Sequence, residues 1–331
     1  MYVLGIETSC DETSAAIVSG GNVLSCETLS SLKRHAQYGG IIPEIATREH
    51  ARAIDTVVNA AFESAGITPD AISCVAVTQG PGLIGSLLVG VSFAEAYAYA
   101  LGIPIIGVDH LHAHMFGALL NRPNISFPFL GLVVSGGHTQ IYSVKDIDDF
   151  QLAGRTLDDA AGEALDKVGR FYGLDYPAAP HIDRLFDLSS VDKDIFRIKD
   201  KEDFNFSFSG IKTKAVYMYN DLKKNNALTD ETKNRILSSF QYRIVESIIS
   251  KTAKALEEYP AKSIVCGGGV TANAYLRQRL EELSMDMNKE IILPERRFCA
   301  DNAAMIAGLG ELVFKNGHPA VGRIRPYSRM A

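Results

Sequence analysis

Apolar runs and amphipathic helical stretches alternate along this chain, and twice the alternation begins in the same way. Residues 2–8 (Tyr-Val-Leu-Gly-Ile-Glu-Thr) read as a buried strand. A turn through Ser9-Cys10-Asp11-Glu12 leads to a second strand over Ser14–Val18, and Gly20-Gly21-Asn22 turns into a third over Val23–Leu29. Tyr38-Gly39-Gly40-Ile41-Ile42-Pro43-Glu44 then precedes a helical pattern that runs to about Ser64. Ile72–Thr78 is a predicted strand, and the loop Gln79-Gly80-Pro81-Gly82 opens a long apolar helix over Leu83–Leu101. Ile103-Pro104-Ile105-Ile106-Gly107-Val108 follows as a buried strand. Asp109 is then a predicted N-cap for a helix carrying His110, His112 and His114.

Residues 130–144 restart the pattern. Leu4–Val18 can be laid without gaps on Leu130–Val144, with Leu, Gly, Ser, Thr and Val coincident and a strand–turn–strand reading in both. The later elements keep the same order. The second half runs through Gly267-Gly268-Gly269, a helix from about Ala272 to Leu283, a strand over Glu290–Leu293 and a helix opened by Ala300-Asp301-Asn302. Asp301 therefore occupies the place in the second half that His110 and His114 occupy in the first. An insertion of mixed character, about 150–235, separates the halves.

This repeat changes the reading of the histidines. At i and i+4, His110 and His114 project from one helix face and can share a metal ion; alone, they read equally well as polar residues at a helix start. Asp301 alone reads as an N-cap. Two halves facing each other across a cleft would bring all three groups to its floor, and two histidines with one carboxylate suit Fe(II) or Zn(II). His112 points away from the pair.

Two glycine turns add a second chemistry. In Ser135-Gly136-Gly137-His138-Thr139 and in Gly267-Gly268-Gly269 the backbone N–H groups can approach a phosphate, the second with help from a helix N-terminus near Asn273. Taken alone, the first motif reads better as a plain hairpin turn. Asp166 and Asp183 are candidates for ribose hydroxyls, each reading also as a solvated helix charge. Gly80-Pro81-Gly82-Leu83-Ile84-Gly85 matches a dinucleotide-binding glycine pattern, but it is not in the first strand–helix unit and lacks a following acidic strand end, so close helix–strand packing is its expected role.

Composition narrows the classes further. With 331 residues the chain is long enough for two cores, and 47% hydrophobic with 22% charged residues is a globular balance. A formal net charge of −6 excludes a general nucleic-acid-coating role, so RNA contact would need a local basic rim, for which Arg34, Arg48, Arg52, Arg296 and Arg297 are candidates. Met1 leads into a strand without a basic leader, and Ser86, Ser92 and Glu95 interrupt the apolar helix, so neither secretion nor a membrane span is expected. The five scattered cysteines predict a reduced, cytoplasmic protein without disulfides.

Taken together, these residues resemble the universal tRNA threonylcarbamoyltransferase family, once labelled glycoproteases, over nearly the whole chain. The resemblance rests on Gly5–Thr13, Tyr38–Glu44, the Gly80–Ser86 loop, His110 with His114 and Val134–Thr139. It also rests on Asp158–Glu163 with Asp166-Lys167, and on Gly267–Gly269 with Asn273. It implies an α/β, duplicated actin-like/sugar-kinase-like (ASKHA) fold of two domains with a central cleft. The halves would span 1–128 and 129–331, the final helix being able to pack back on the first. It implies one divalent metal ion, Fe(II) or Zn(II), on His110, His114 and Asp301. It further implies an adenylate on Val133, Val134, Ser135, Gly136, Gly137, Asp166, Ala179, Asp183 and Asn273. The implied reaction moves a threonylcarbamoyl group from threonylcarbamoyl-AMP to N6 of adenosine 37 in tRNAs reading ANN codons, with TsaB-like and TsaE-like partner proteins. One departure stands out: Tyr176-Pro177-Ala178-Ala179-Pro180 replaces the family's usual Tyr-Pro-Gly-Gly-Pro. If residue 179 needed a positive φ, alanine would be strained there. Two rival activities are an ATP-dependent small-molecule phosphotransferase of the same fold and a metalloprotease. The first carries Asp at the place of Glu7; the second needs a Glu after the first histidine, where this chain has Leu111.

Overall fold

The computed structural model describes residues 1–122, 126–197, 203–317 and 323–328. The chain divides into two compact units, Met1–Ile125 with Pro294–Ala331, and Ser126–Leu293. Each is built on one five-stranded sheet.

In the first unit, β1 (Tyr2–Glu7), β2 (Glu12–Ser19) and β3 (Asn22–Ser30) form an antiparallel meander, and β4 (Ile72–Gly80) and β5 (Ile105–Asp109) extend it in parallel, in the order β3-β2-β1-β4-β5. In the second, β6 (Phe129–Val134), β7 (Thr139–Asp146) and β8 (Asp149–Arg155) form the meander. Parallel β9 (Ser263–Gly267) and β10 (Glu290–Ile292) complete the order β10-β9-β6-β7-β8. The two topologies are the same. The register repeats too: Leu4 faces Ile17 in one hairpin and Leu130 faces Ser143 in the other, the pairing that the ungapped overlay of the sequences gives. Parallel pairing sets Leu4 beside Val75 and Leu130 beside Ile264. The duplicated α/β fold anticipated from the sequence is the one observed.

The helices are α1 (Leu32–His35), α2 (Pro43–Ala65), α3 (Ile84–Leu101), α4 (His110–Gly117), α5 (Ala161–Phe171), α6 (Ala179–Leu185), α7 (Ser209–Lys224), α8 (Asp230–Glu258), α9 (Ala274–Met287) and α10 (Ala303–Lys315). The sequence reading placed β8 in the insertion; this edge strand, Asp149-Phe150-Gln151-Leu152-Ala153-Gly154-Arg155, is largely exposed. The insertion proper carries α5 to α8, and α8 runs well past residue 235.

Strand alternation sorts the first unit's core. Leu4 and Ile6 join Val57, Val58, Phe62, Val91 and Ala94 of α2 and α3 in one apolar cluster. Gly5, between them, faces the opposite way and meets α10: a Cβ on it would lie 2.3 Å from the Ala303 carbonyl oxygen and 2.8 Å from the Ala307 Cβ. Gly310 of α10 meets Ala76 of β4 in the same manner, at 2.4 Å. The late helix α10 is thus seated on the first sheet by small residues in both partners. By length and composition α3 is apolar enough to cross a membrane; in the fold it buries Leu87, Gly90, Val91, Ala94 and Ala98 and packs on β4 and α2.

In the second unit Leu130, Leu132, Val134 and Ile141 of the sheet pack with Leu165, Val168, Phe240, Ile244 and Ile248 of the inserted helices and with Phe208, just before α7. Because α10 sits against Gly5 without room for a methyl group, Gly5→Ala is expected to destabilise the protein by ~1–3 kcal/mol. Urea unfolding checks this; an unchanged midpoint would show that α10 yields without cost.

Candidate functional site

β5 ends in Asp109, whose Oδ1 accepts hydrogen bonds from the N–H groups of Leu111 (2.8 Å) and His112 (2.9 Å) and so starts α4 as the sequence predicts. From α4, His110 and His114 turn into the interior, 5% and 1% exposed, with ring centroids 4.6 Å apart. Asp301 arrives from the segment before α10. Its Oδ1 lies 3.5 Å from His110 Nε2 and 3.2 Å from His114 Nε2, and one donor atom from each of the three residues falls within 4.8 Å of the others. Asp301 is not the helix cap: Asn302 Oδ1 accepts from the Met305 N–H at 3.1 Å and takes that role, leaving the Asp301 carboxylate to the histidines. The route differs from the one the repeat suggested. Asp301 belongs to the same compact unit as the histidines, so the triad forms within one unit.

A residue that the sequence reading did not assign to the site fixes its chemistry. Glu7, buried at the end of β1, takes the His110 Nδ1 hydrogen at 2.9 Å through Oε2, which also accepts from Thr78 Oγ1 at 2.6 Å; its Oε1 accepts from the Ser9 N–H. With Nδ1 donating to a carboxylate, Nε2 is the nitrogen that faces Asp301, and it is the one His110 can offer to a cation that displaces its proton. The signal for Glu7 was an acid inside an apolar strand, where an unpaired carboxylate is rarely tolerated.

These residues fit a divalent cation. Both ring nitrogens of His114 are buried without a hydrogen-bond partner, although Asp301 Oδ1 is close to Nε2. The surroundings are also short of positive charge. Burial, reinforced by Asp301 and Asp11, pushes the Glu12 carboxyl up to about 10. Burial works against charging His110, yet Glu7 and Asp301 outweigh it and raise the ring to about 9. Burial also disfavours the Glu7 carboxylate, and the His110 ring more than compensates, holding it below its ordinary value. The His112 ring lies outside this set and is lowered by burial.

The second unit gathers most of the remaining candidates. The Ser135–Thr139 turn closes with Ser135 N–H donating to the His138 carbonyl at 2.8 Å. Gly136 and Gly137 face open space. Gly268, with φ at +94°, lies against this turn so closely that a Cβ would stand 2.4 Å from the Val134 carbonyl oxygen. The N-terminus of α5 abuts the same turn: Gly162 N–H donates to the Ser135 carbonyl at 3.2 Å, and Ala161 N–H donates to Thr139 Oγ1 at 2.9 Å. Val133 and Val134 are fully buried strand residues that carry the turn. Asn273 caps α9, accepting from the Leu276 N–H at 2.8 Å. Asp183 of α6 reaches the same helix start and accepts from the Ala274 N–H at 3.0 Å and from Gln241 Nε2 at 3.3 Å.

Asp166 of α5 accepts from the Ala179 N–H at 2.7 Å, and burial raises its carboxyl in spite of that bond. The Ala179 N–H is therefore taken within the chain. Nor does the Ala178-Ala179 departure strain the backbone. Ala178 is right-handed (φ −86°), neither alanine has a positive φ, and the Ala178 methyl is fully buried beside Gly169. The basic rim is largely neutralised. Arg48 pairs with Glu44 at 2.6 Å, Arg52 and Arg34 share Glu49 at 2.8 and 3.0 Å, and Arg297 pairs with Glu295 at 2.9 Å. Gly82 and Gly85 serve close packing, though not between helix and strand: Gly82 meets Ser9 of the first hairpin loop and Gly85 meets Thr47 of α2.

The profile of the protein family described as TsaD, tRNA N6-adenosine threonylcarbamoyltransferase, matches residues 22–308. The chain belongs to this threonylcarbamoyltransferase family. Relatives bearing that description include one from Thermosipho africanus, 45% identical over 319 residues and covering 96% of both chains, and one from Bacillus subtilis, 43% identical over 321 residues and covering 96% of this chain and 92% of its own. Among solved structures, full-length HypF in its phosphate- and nucleotide-bound form is similar at a TM-score of 0.63, with 14% identity over 96% of this chain and 56% of that one. The Streptomyces griseus ROK family glucokinase gives 0.52, with 10% identity over 95% and 100%. These likenesses show the actin-like fold. Membership of the threonylcarbamoyltransferase family sets aside the phosphotransferase and metalloprotease readings.

For the metal centre, His114→Ala and Asp301→Ala are expected to lose stoichiometric bound metal while keeping a native circular dichroism spectrum. Glu7→Gln should keep the ion with affinity weakened roughly 10–100-fold. Elemental analysis with equilibrium titration decides; full metal content in either ligand variant refutes the assignment.

Proposed function

We propose that the protein transfers the threonylcarbamoyl group of threonylcarbamoyl-AMP to N6 of adenosine 37 in tRNAs reading ANN codons, forming t6A and releasing AMP. The observation that carries this reading is an intact His110–His114–Asp301 donor set in a member of the threonylcarbamoyltransferase family.

His110 Nε2, His114 Nε2 and Asp301 would hold one Fe(II) or Zn(II) ion, Glu7 keeping His110 in the tautomer that ligation requires. When bound, the ion supplies Lewis-acid polarisation of the carbamoyl or phosphate oxygens. The amides of the Ser135–Gly137 turn, carried by Val133 and Val134 and backed by Gly268, suit the departing phosphate. Asp166, Asp183 and Asn273 are assigned to the nucleoside, with Ala179 beside them giving its N–H to Asp166 and not to the ligand. Asp183 is already oriented by Ala274 and Gln241, and Asp166 by Ala179.

Transfer is direct. The bond broken is the carbon–oxygen bond of the mixed carbamic–phosphoric anhydride, the new bond joins the carbamoyl carbon to adenine N6, the proton lost from N6 passes to water, and AMP leaves with the bridging oxygen. No thiol is suited to intervene. Burial, with Asp11 and Asp301 nearby, holds Cys10 well above its ordinary value, and burial pushes Cys266 up to about 12. The tRNA, together with TsaB-like and TsaE-like proteins, completes the assigned partner set, and the five free cysteines accord with a cytoplasmic location. The arginines of α2 hold exposed ion pairs, which are weak and can be exchanged for phosphates.

Mass spectrometry of nucleosides from tRNA incubated with threonine, bicarbonate, ATP, the carbamoyl-AMP-forming enzyme and the partner proteins tests the reading. Accumulation of t6A is expected, with most activity lost in His110→Ala and substantial activity kept in Cys10→Ser and Cys266→Ser. No t6A from the complete system, or a threonylcarbamoyl group trapped on either cysteine, would overturn it.

A further inference from the structure

The last described segment of the chain, Arg323–Ser328, returns to the start of the histidine helix. It is fastened at three points. Ile324 is buried in the first unit's core and its N–H donates to Glu95 Oε1 at 2.9 Å. The Tyr327 N–H donates to the Gln79 carbonyl at 2.9 Å. The Tyr327 hydroxyl donates to Asp109 Oδ2 at 2.5 Å. Gly80 makes the approach possible: with φ at +148° it pairs with Asp109 at the sheet's end, and a Cβ there would lie 2.3 Å from the Tyr327 carbonyl oxygen and 2.8 Å from its ring.

We propose that Tyr327 is a positioning residue for the metal-ligating histidines, acting by holding the Asp109 carboxylate in its capping geometry. The two oxygens of Asp109 divide the work: Oδ2 takes the phenol, and Oδ1 takes the N–H groups of Leu111 and His112. α4 has only eight residues, His110–Gly117, and so short a helix depends on its cap and packing to set its direction. His110 is the first of those residues and His114 lies one turn on. A carboxylate free to rotate would let that first turn shift, and with it both ring nitrogens. The phenol-to-carboxylate bond is charge-assisted, which makes it a firm anchor. This inference concerns residues toward the proposed metal centre, and its test reads ion binding independently of t6A formation.

The test is titration of the full-length, metal-free protein with Co(II), following visible absorption, for wild type, Tyr327→Phe, Asp109→Asn and the double variant, with folding checked by circular dichroism. Tyr327→Phe keeps the ring over Gly80 and removes only the hydroxyl. It should weaken Co(II) binding on the order of 3–10-fold, less than loss of a direct histidine partner, and alter the ligand-field bands. Asp109→Asn should weaken binding in its own right, and adding Tyr327→Phe to it should change nothing more. Wild-type Co(II) affinity and spectrum in either folded single variant overturns the proposal. So does an equal loss from Tyr327→Phe in both backgrounds, since the effect would then bypass Asp109.

Discussion

The hydrogen bond from His110 Nδ1 to Glu7 Oε2 is the contact on which the first unit's site depends. Glu7 is almost wholly buried, and its carboxylate is tolerable there because Ser9, Thr78 and His110 all donate to it. Each donor comes from a different piece of the fold: the first hairpin loop, β4 and α4. The carboxylate therefore joins three elements and fixes a tautomer at once. Breaking such a buried pair from one side leaves an uncompensated charge, at a cost of about 3–5 kcal/mol. Structure and metal chemistry are linked at this point through a single side chain.

The duplication makes clear how one scaffold produced two kinds of site. The first hairpin loop, Ser9-Cys10-Asp11, and its counterpart Ser135-Gly136-Gly137 occupy the same place between paired strands of identical register. In the first unit the loop carries side chains and backs the acidic surroundings of His110. In the second the side chains are gone, Gly136 and Gly137 face open space, and backbone amides become the functional groups. The strands did not need to change, because in both copies the loop sits at the end of a buried β-hairpin whose pairing sets its position.

The alanines at 178 and 179 show how a departure from a family pattern is absorbed. Ala178 buries its methyl beside Gly169, and Ala179 gives its N–H to Asp166 from ordinary backbone geometry. What glycine would supply as conformational freedom is not needed here, so the cost anticipated for a positive φ does not arise.

The sequence by itself determined the elements and the donor types. Period-two apolar strands, glycine turns and the Asp109 cap are local properties, legible because side-chain alternation and capping act over a few residues. The i, i+4 spacing put His110 and His114 on one helix face without reference to anything distant. The repeat gave the duplicated topology. It did not determine which unit would receive Asp301, since that rests on how small residues let α10 pack against Gly5 and Ala76 far away in sequence. Nor could it show that Glu7 serves His110, that Asn302 relieves Asp301 of capping, or that Glu44 and Glu49 neutralise the arginines of α2. Those facts belong to the tertiary structure, because each depends on which long-range partner reaches a polar group first.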